Sequence, residues 1–151
     1  MTDKTSAKAV KEEIKTEPAA DANKPQYDKA ELLAIFDEMI FQGEYQEEVT
    51  IKGKLKVTFR ARSANDITAI SRELDGSKFE LMATITEQRA FLNLIYSMIA
   101  YAGKNYEKVE IKERREMIGK LPAVVIGALS EALVKFDQKM DAACREGEAN
   151  F

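Results

Sequence analysis

The sequence predicts a mostly α-helical α+β fold, in which an N-terminal helix and a β-hairpin pack on an α-helical bundle. Two apolar-rich stretches predict long helices: Ala90 to Gly103 contains no charged residue, and Leu121 to Phe136 follows after a charged connector. A third observation predicts the hairpin, because apolar and polar residues alternate on both sides of Gly53. With 151 residues, the chain is long enough for one domain with a substantial core.

The first 26 residues are polar and contain two prolines, no aromatic residue, and five lysines balanced by five acids. Such a segment buries too little apolar area to offset the entropy of ordering its backbone. We therefore expect a disordered leader over residues 1–26, with at most a transient helix around Ala7 to Lys15. A single domain over 27–147 follows, and 148–151 form a short tail in which Phe151 is either frayed or a docking residue.

The domain begins with an amphipathic helix that runs to about Phe41 and ends before Gly43. Asp28 suits its N-cap, with Glu31 at capping-box spacing. The apolar residues at helical spacing are Leu32, Ile35, Phe36, Met39 and Ile40. These residues predict one buried face along the helix.

The hairpin follows this helix, with a period of two from Val49 to Phe59. A three-residue loop around Gly53 pairs Ile51 with Leu55 and keeps the apolar residues on one face. A two-residue loop would place Ile51 opposite Lys54 and break that face. Because an isolated hairpin is only marginally stable, we expect this face to pack on the helices.

Two helices are predicted next, and each has an N-terminal capping signature. Ser63 and Asp66 begin a short helix that ends before Gly76. Ser77 and Glu80 begin the next one, which continues through the uncharged stretch until Gly103. Its inner face consists of Met82, Ile85, Leu92, Ile95 and Ile99. Thr84 and Thr86 favour helix poorly, so the pattern leaves 78–86 open between helix and strand.

The charged connector and the last helix complete the domain. Within residues 107–120 we expect a short helix around Ile111 to Ile118, and Pro122 suits the first turn of the last helix. Apolar residues three and four apart line that helix, with Gly147 near its end: Val125, Leu129, Ala132, Phe136, Met140 and Ala143.

Histidine is absent from the sequence, and this absence excludes Ser-His-Asp and Cys-His catalytic sites. Catalysis would need a carboxylate pair or a lysine nucleophile, and the single cysteine, Cys144, forms neither a zinc site nor an internal disulfide. The polar start of the sequence leads us to expect no secretory signal, and the uncharged stretch is shorter than the roughly 20 residues of a membrane span. We therefore expect no enzymatic activity, no cofactor, no metal and no membrane partner.

The polar face of the predicted hairpin carries a row of cations, Lys52, Lys54, Lys56, Arg60 and Arg62. Such a row suits phosphate groups or an acidic protein partner, and it also discourages edge-to-edge pairing of strands. Since the net charge is −3 and no aromatic residue lies among these cations, nucleic acid is the less favoured partner.

The two long helices contain more apolar residues than one packed stripe requires, with Tyr96, Tyr101, Val124, Leu133 and Val134 widening it. Core packing or self-association explains such an excess. A groove that binds the helix of a partner also explains it, with methionines adapting to the shape of that helix.

Four segments carry a family resemblance: VTIKGKLKVTFRARSANDITAI (49–70), NLIYSMIAYAGKNY (93–106), ERREMIGKLP (113–122) and VVIGALSEALVKFDQKMDAA (124–143). In their order and spacing, the chain from about Glu47 onward resembles the small tail assembly chaperones of tailed bacteriophages and the related small baseplate-hub assembly proteins. The resemblance lies in this layout, and the polar leader is outside it.

The resemblance implies a non-enzymatic protein of the host cytoplasm that binds apolar helical segments of a tail (tape-measure) protein during virion assembly. The candidate contacts with this client are Tyr101, Leu129, Leu133, Phe136 and Met140. One alternative is a structural baseplate or tail subunit that stays in the virion, and a homo-oligomer is compatible with either role. A second alternative is a small nucleic-acid-binding accessory protein that uses the basic hairpin face.

Overall fold

The computed structural model describes residues 25–76 and 82–150. Within these residues the chain forms α1 (Lys29–Gln42), β1 (Gln46–Ile51), β2 (Leu55–Arg60), α2 (Ala64–Asp75), α3 (Met82–Ser97), β3 (Met98–Tyr101), β4 (Lys104–Asn105), α4 (Ile111–Gly119) and α5 (Ala123–Ala149). This arrangement confirms the predicted mostly-α α+β class. Ser77, Glu80 and Phe151 lie outside the described residues, as does most of the predicted leader.

The strands form one antiparallel sheet in the order β1-β2-β3-β4, so that β1 lies at one edge. The register of the hairpin pairs Ile51 with Leu55 and Val49 with Val57, which confirms the three-residue loop and the shared apolar face. Gly53 lies in this loop with a φ of 68°, a conformation that glycine adopts without steric cost.

The prediction of one helix reaching Gly103 is wrong beyond Ser97, where α3 ends and β3 begins. β3 pairs with the second edge of β2, placing Tyr101 opposite Val57. Because this stretch is apolar and largely buried, its sequence fits a helix or a strand, and the unpaired edge of β2 selects the strand. Ala102 and Gly103 have φ angles of 49° and 84°, so this dipeptide turns β3 into β4 in the manner of a type I′ hairpin rather than ending a helix.

The helix ends confirm several predicted caps. The Asp28 carboxylate accepts a hydrogen bond from the Ala30 N–H at 3.4 Å, and Gly43 ends α1 in the left-handed conformation. The predicted capping box of α2 is formed, since Ser63 and Asp66 exchange side-chain and backbone hydrogen bonds of 2.9 and 3.1 Å. Helices α1 and α2 therefore begin close to their predicted positions. Residues 82–86, which the sequence pattern left open between helix and strand, are helical.

The hydrophobic core lies between the inner face of the sheet and the helices, with α5 at its centre. The ring of Phe136 lies 5.8 Å from that of Phe59 in β2 and is stacked on Tyr45 at 6.3 Å. Helix α1 crosses α5 so closely that a Cβ atom added to Gly147 would overlap the ring of Phe36. These contacts fix the position of α5 relative to both α1 and β1.

Candidate functional site

An open groove of about 700 Å³ lies between the edge strand β1 and helix α5. Val49 and Ile51 line it from β1, and Ala128, Ala132 and Phe136 line it from α5. Its volume falls within the range of ligand-binding clefts, and its inner lining is apolar. The groove therefore has the size and chemistry to receive apolar side chains of another segment.

Polar and charged residues surround this apolar lining: Thr50, Lys52, Glu131, Lys135, Gln138 and Lys139. The exposed pair Lys135 and Glu131 lies on α5 with 3.8 Å between Nζ and Oε1. Charges of both signs at the rim suit a peptide segment with mixed charges better than a uniformly anionic ligand.

Within the described part of the chain, the backbone of β1 has no strand partner along the edge beside the groove. The Ala61 N–H donates to the Tyr45 carbonyl at 2.8 Å, so these two residues form a hydrogen-bonded pair of the β1–β2 ladder. In an antiparallel ladder such pairs alternate, and therefore Gln46, Glu48 and Thr50 direct their N–H and C=O groups away from β2. Among the described residues no strand pairs with this edge, which makes it available to another segment.

Lys139 closes one end of the groove and joins three elements. Its ammonium lies 2.6 Å from the Glu31 carboxylate of α1 and 2.7 Å from the Glu47 carboxylate of β1, and 16% of its side chain is exposed. Burial would lower the pKa of Lys139, but hydrogen bonds and charge interactions with Glu31 and Glu47 outweigh it and raise the pKa above its usual value. The lysine therefore stays charged and holds α1, β1 and α5 together.

Tyr45 extends this network from the end of β1. Its hydroxyl donates a hydrogen bond to the Glu47 carboxylate at 3.4 Å. Burial and the nearby Glu47 charge raise the pKa of Tyr45 to about 12, with Lys139 acting in the opposite direction. The phenol therefore stays protonated and neutral across the physiological pH range.

Of the five residues predicted to contact a client, four are buried in the core: Leu129, Leu133, Phe136 and Met140. Tyr101 is half-buried on β3, on the inner side of the sheet. Phe136 also lines the groove, whereas the other buried residues could touch a client only if α1 or the sheet moved away from α5. Their predicted role in partner binding stays a prediction, and in this conformation they support the core.

Sequence reasoning missed Ala128 and assigned Ala132 to the core-facing stripe, whereas both of these small residues of α5 line the groove. They continue a stripe that begins at Val124, since the three residues lie four apart and share one helix face. Val124 is 75% exposed although it is apolar, which extends the stripe beyond the groove. Four-residue spacing of small apolar residues beside the core stripe was the available signal, but alanine is too common in helices to mark a groove.

The predicted basic face is partly neutralised and does not include all five cations. The Arg62 guanidinium instead donates to Ser97 Oγ at the end of α3 at 2.6 Å and to the Asp137 carboxylate of α5 at 2.8 Å. Arg60 forms an ion pair with Asp66 at 3.0 Å. Lys52, Lys54 and Lys56 remain exposed, with Lys56 3.9 Å from Glu48. Three lysines beside an acidic residue form a weaker phosphate-binding surface than the sequence suggested.

No group of three or more acidic or cysteine side chains in residues 25–76 and 82–150 is arranged to hold a metal ion. No helix within those ranges has the length and apolar character to cross a membrane. Comparison of the chain with protein-family models, with curated proteins and with solved structures finds no match.

Proposed function

We propose that this protein is a non-enzymatic tail assembly chaperone that binds an apolar helical segment of a tail protein in the groove between β1 and α5. The observation that carries the proposal is the groove itself, an open apolar surface of about 700 Å³ on a folded domain. A folded domain that exposes such a surface commonly uses it to bind a partner.

The dimensions of the groove suit a short amphipathic helix. Strand β1 has six residues and is therefore roughly 20 Å long at about 3.3 Å per residue. A client helix of about 13 residues has the same length at 1.5 Å per residue. Such a helix would place its apolar residues against Val49, Ile51 and Ala132, and its polar residues near the charged rim.

The same groove provides a mechanism for chaperone action. Tape-measure proteins are the long helical clients that the family resemblance implies. A chaperone that covers an apolar face of such a client lowers the concentration of free client, and mass action then suppresses self-association of the client. The hairpin segment 49–70 and the last-helix segment 124–143, which carry the resemblance, include the residues that line the groove from both sides.

The alternative is a structural tail or baseplate subunit that stays in the virion. The free edge of β1 favours it, because Gln46, Glu48 and Thr50 can accept a strand from a neighbouring subunit in a permanent interface. A nucleic-acid-binding role receives less support, since Arg60 and Arg62 are held by Asp66 and Asp137.

Mass spectrometry of purified mature particles and of the soluble lysate from the source distinguishes these roles. Abundant peptides of this chain in the lysate and none in the particles are expected for a chaperone that leaves after assembly. Stoichiometric copies in the particle would contradict the chaperone role and favour the structural one. If the source makes no such particle, both phage roles are wrong.

A pair of variants tests the groove. Ala128→Arg places a long charged side chain in the groove, whereas Ala34→Arg makes the same change at an exposed site in the middle of α1. Each variant is co-expressed with the tape-measure protein of the same phage, and the amount of soluble client is measured. We expect the amount of soluble client to fall at least ten-fold with the Ala128→Arg variant, relative to the wild type, and to stay unchanged with Ala34→Arg. Equal yields from both variants would place the client elsewhere.

A further inference from the structure

We propose that residues 1–24 of the same chain occupy the groove when no client is bound, through the apolar residues Ala7, Val10 and Ile14. The functional consequence rests on the proposed function, because the segment would then compete with the client for one site. The docking itself requires no client and can be tested alone.

Residues 1–24 join the domain at the edge of the groove. Pro25 and Tyr27 line the groove together with β1 and α5, so the chain enters the domain at the groove itself. Residues 16–24 lie between the apolar residues and Pro25, and nine residues span up to about 30 Å when extended. The groove beside β1 is roughly 20 Å long, so Val10 and Ile14 can reach any part of it.

The apolar and charged residues of the segment match those of the groove. Ala7, Val10 and Ile14 are spaced by three and four residues, so a helical turn through them has one apolar face. Acidic and basic residues occupy the flanking positions: Lys8, Lys11, Glu12, Glu13 and Lys15. The groove has the complementary pattern, since an apolar lining is bordered by the mixed charges of Lys52, Glu131 and Lys135.

The covalent connection makes even a weak contact sufficient. A segment joined by a short linker has an effective concentration of about 1 mM at its site. If the separate pieces bound with a Kd of about 0.1 mM, the groove would be occupied in roughly 90% of molecules. A client would then find about one molecule in ten open, and its apparent affinity would fall about ten-fold. Docking of residues 1–24 would therefore prevent weakly binding clients from occupying the groove.

Disulfide trapping in the full-length chain tests the docking directly. Val10→Cys is combined with Ala128→Cys in the groove, in a Cys144→Ser background that removes the native thiol. The control combines Val10→Cys with Ala34→Cys on the exposed side of α1. The proteins are oxidised at about 1 μM, where contact between molecules is rare, and intramolecular disulfides are followed by non-reducing electrophoresis and peptide mass spectrometry.

We expect the groove pair to form an intramolecular disulfide at least ten-fold faster than the control pair. An added Ile14→Asp change should slow the groove pair to the control rate, whereas Thr16→Asp, a matched change outside the apolar face, should leave it fast. Equal rates for both pairs would overturn the proposal. Disulfides only between molecules, increasing with protein concentration, would also overturn it and would assign the groove to the leader of a second copy.

The client assay separates this inference from the proposed function. Fast trapping without binding of tape-measure protein would uphold leader docking and contradict the chaperone role. Client binding that depends on Ala128, combined with equal trapping rates, would support the chaperone role and overturn leader docking. If both are correct, replacing Val10 and Ile14 with aspartate should raise the apparent client affinity about ten-fold relative to matched aspartates at Thr5 and Thr16.

Discussion

The crossing of α1 over α5 predicts opposite effects for the same substitution at two glycines of one helix. Gly147 lies where a Cβ atom would overlap the ring of Phe36, whereas a Cβ atom on Gly127 would have no neighbour within 4 Å among residues 25–76 and 82–150. Both glycines lie within α5, so Gly→Ala raises helix propensity at each. Packing against α1 therefore decides the sign at Gly147.

The magnitudes follow from two effects. Gly127→Ala should raise the free energy of unfolding by roughly 0.5–1 kcal/mol, because alanine has lower backbone entropy in the unfolded chain and no contact to disturb. Gly147→Ala should gain less than this near the helix end and lose up to about 3 kcal/mol through overpacking, because a packed aromatic ring cannot move without shifting α1. The expected net loss at Gly147 is about 2 kcal/mol.

Urea unfolding followed by circular dichroism measures both variants, and thermal unfolding provides a second readout. For a domain of this size 1 kcal/mol corresponds to roughly 4 °C in Tm. We expect Gly147→Ala to melt about 8 °C lower than the wild type and Gly127→Ala about 3 °C higher. In a Phe36→Ala background the Gly147→Ala change should no longer destabilise, because the overlapping ring is gone. A rise in stability for Gly147→Ala in the wild-type background would refute the close crossing of the two helices.

Two further predictions concern the charged end of the groove. Lys139→Met should lower the free energy of unfolding by about 2 kcal/mol at pH 7 in urea titrations, because Glu31 and Glu47 lose their shared cation. The control is Lys135→Met, which removes a cation from an exposed pair and should change the free energy of unfolding by less than about 0.5 kcal/mol. Tyr45 has a pKa raised to about 12, so the unfolded chain releases this proton first and the free energy of unfolding should fall as the pH rises from about 10 to about 12. Tyr45→Phe should remove that part of the fall, and an identical alkaline slope in both proteins would contradict the assignment.

Local patterns predicted most of the fold. The hairpin register followed from the alternation around Gly53, because a loop of even length, such as two residues, would have mixed apolar and polar residues on one face. The start of α2 followed from Ser63 and Asp66, which satisfy each other's backbone N–H groups without help from the rest of the chain. Such features are determined by neighbours in sequence, and a sequence therefore contains the information needed to find them.

The uncharged stretch was predicted wrongly because its conformation is determined by a distant strand. Residues Met98 to Tyr101 have helical neighbours and no polar alternation, so the local pattern continues α3. Pairing with β2 supplies backbone hydrogen bonds and a cross-strand contact between Tyr101 and Val57 that a longer helix would lack. The turn at Ala102 and Gly103 was visible in the sequence, but a glycine after an apolar run predicts a helix end equally well.

The candidate site was harder to predict than the fold, because a groove is formed by the side chains that leave space. The predicted client contacts were the largest apolar residues of α5, and size is the property that places Leu129 and Leu133 in the core. The groove is lined instead by Ala128 and Ala132, whose small side chains face β1 without filling the space. A sequence shows which residues are apolar, but the arrangement of β1 beside α5 determines which of them remain accessible.

The two alanines also bear on why the groove exists. Leucine at Ala128 or Ala132 would add three carbon atoms facing an apolar space, and burial contributes about 0.8 kcal/mol per methylene, so each replacement could gain up to roughly 2 kcal/mol. The native sequence lacks this stabilisation on one side of its core, next to a strand edge with which no strand of the described residues pairs. The small alanines and the strand edge both lie where Pro25 joins residues 1–24 to the domain. A surface that must bind and release other segments would need such an opening. The proposed binding of other segments by this groove would account for the small side chains of α5 and the open edge of β1 together, which stability alone does not.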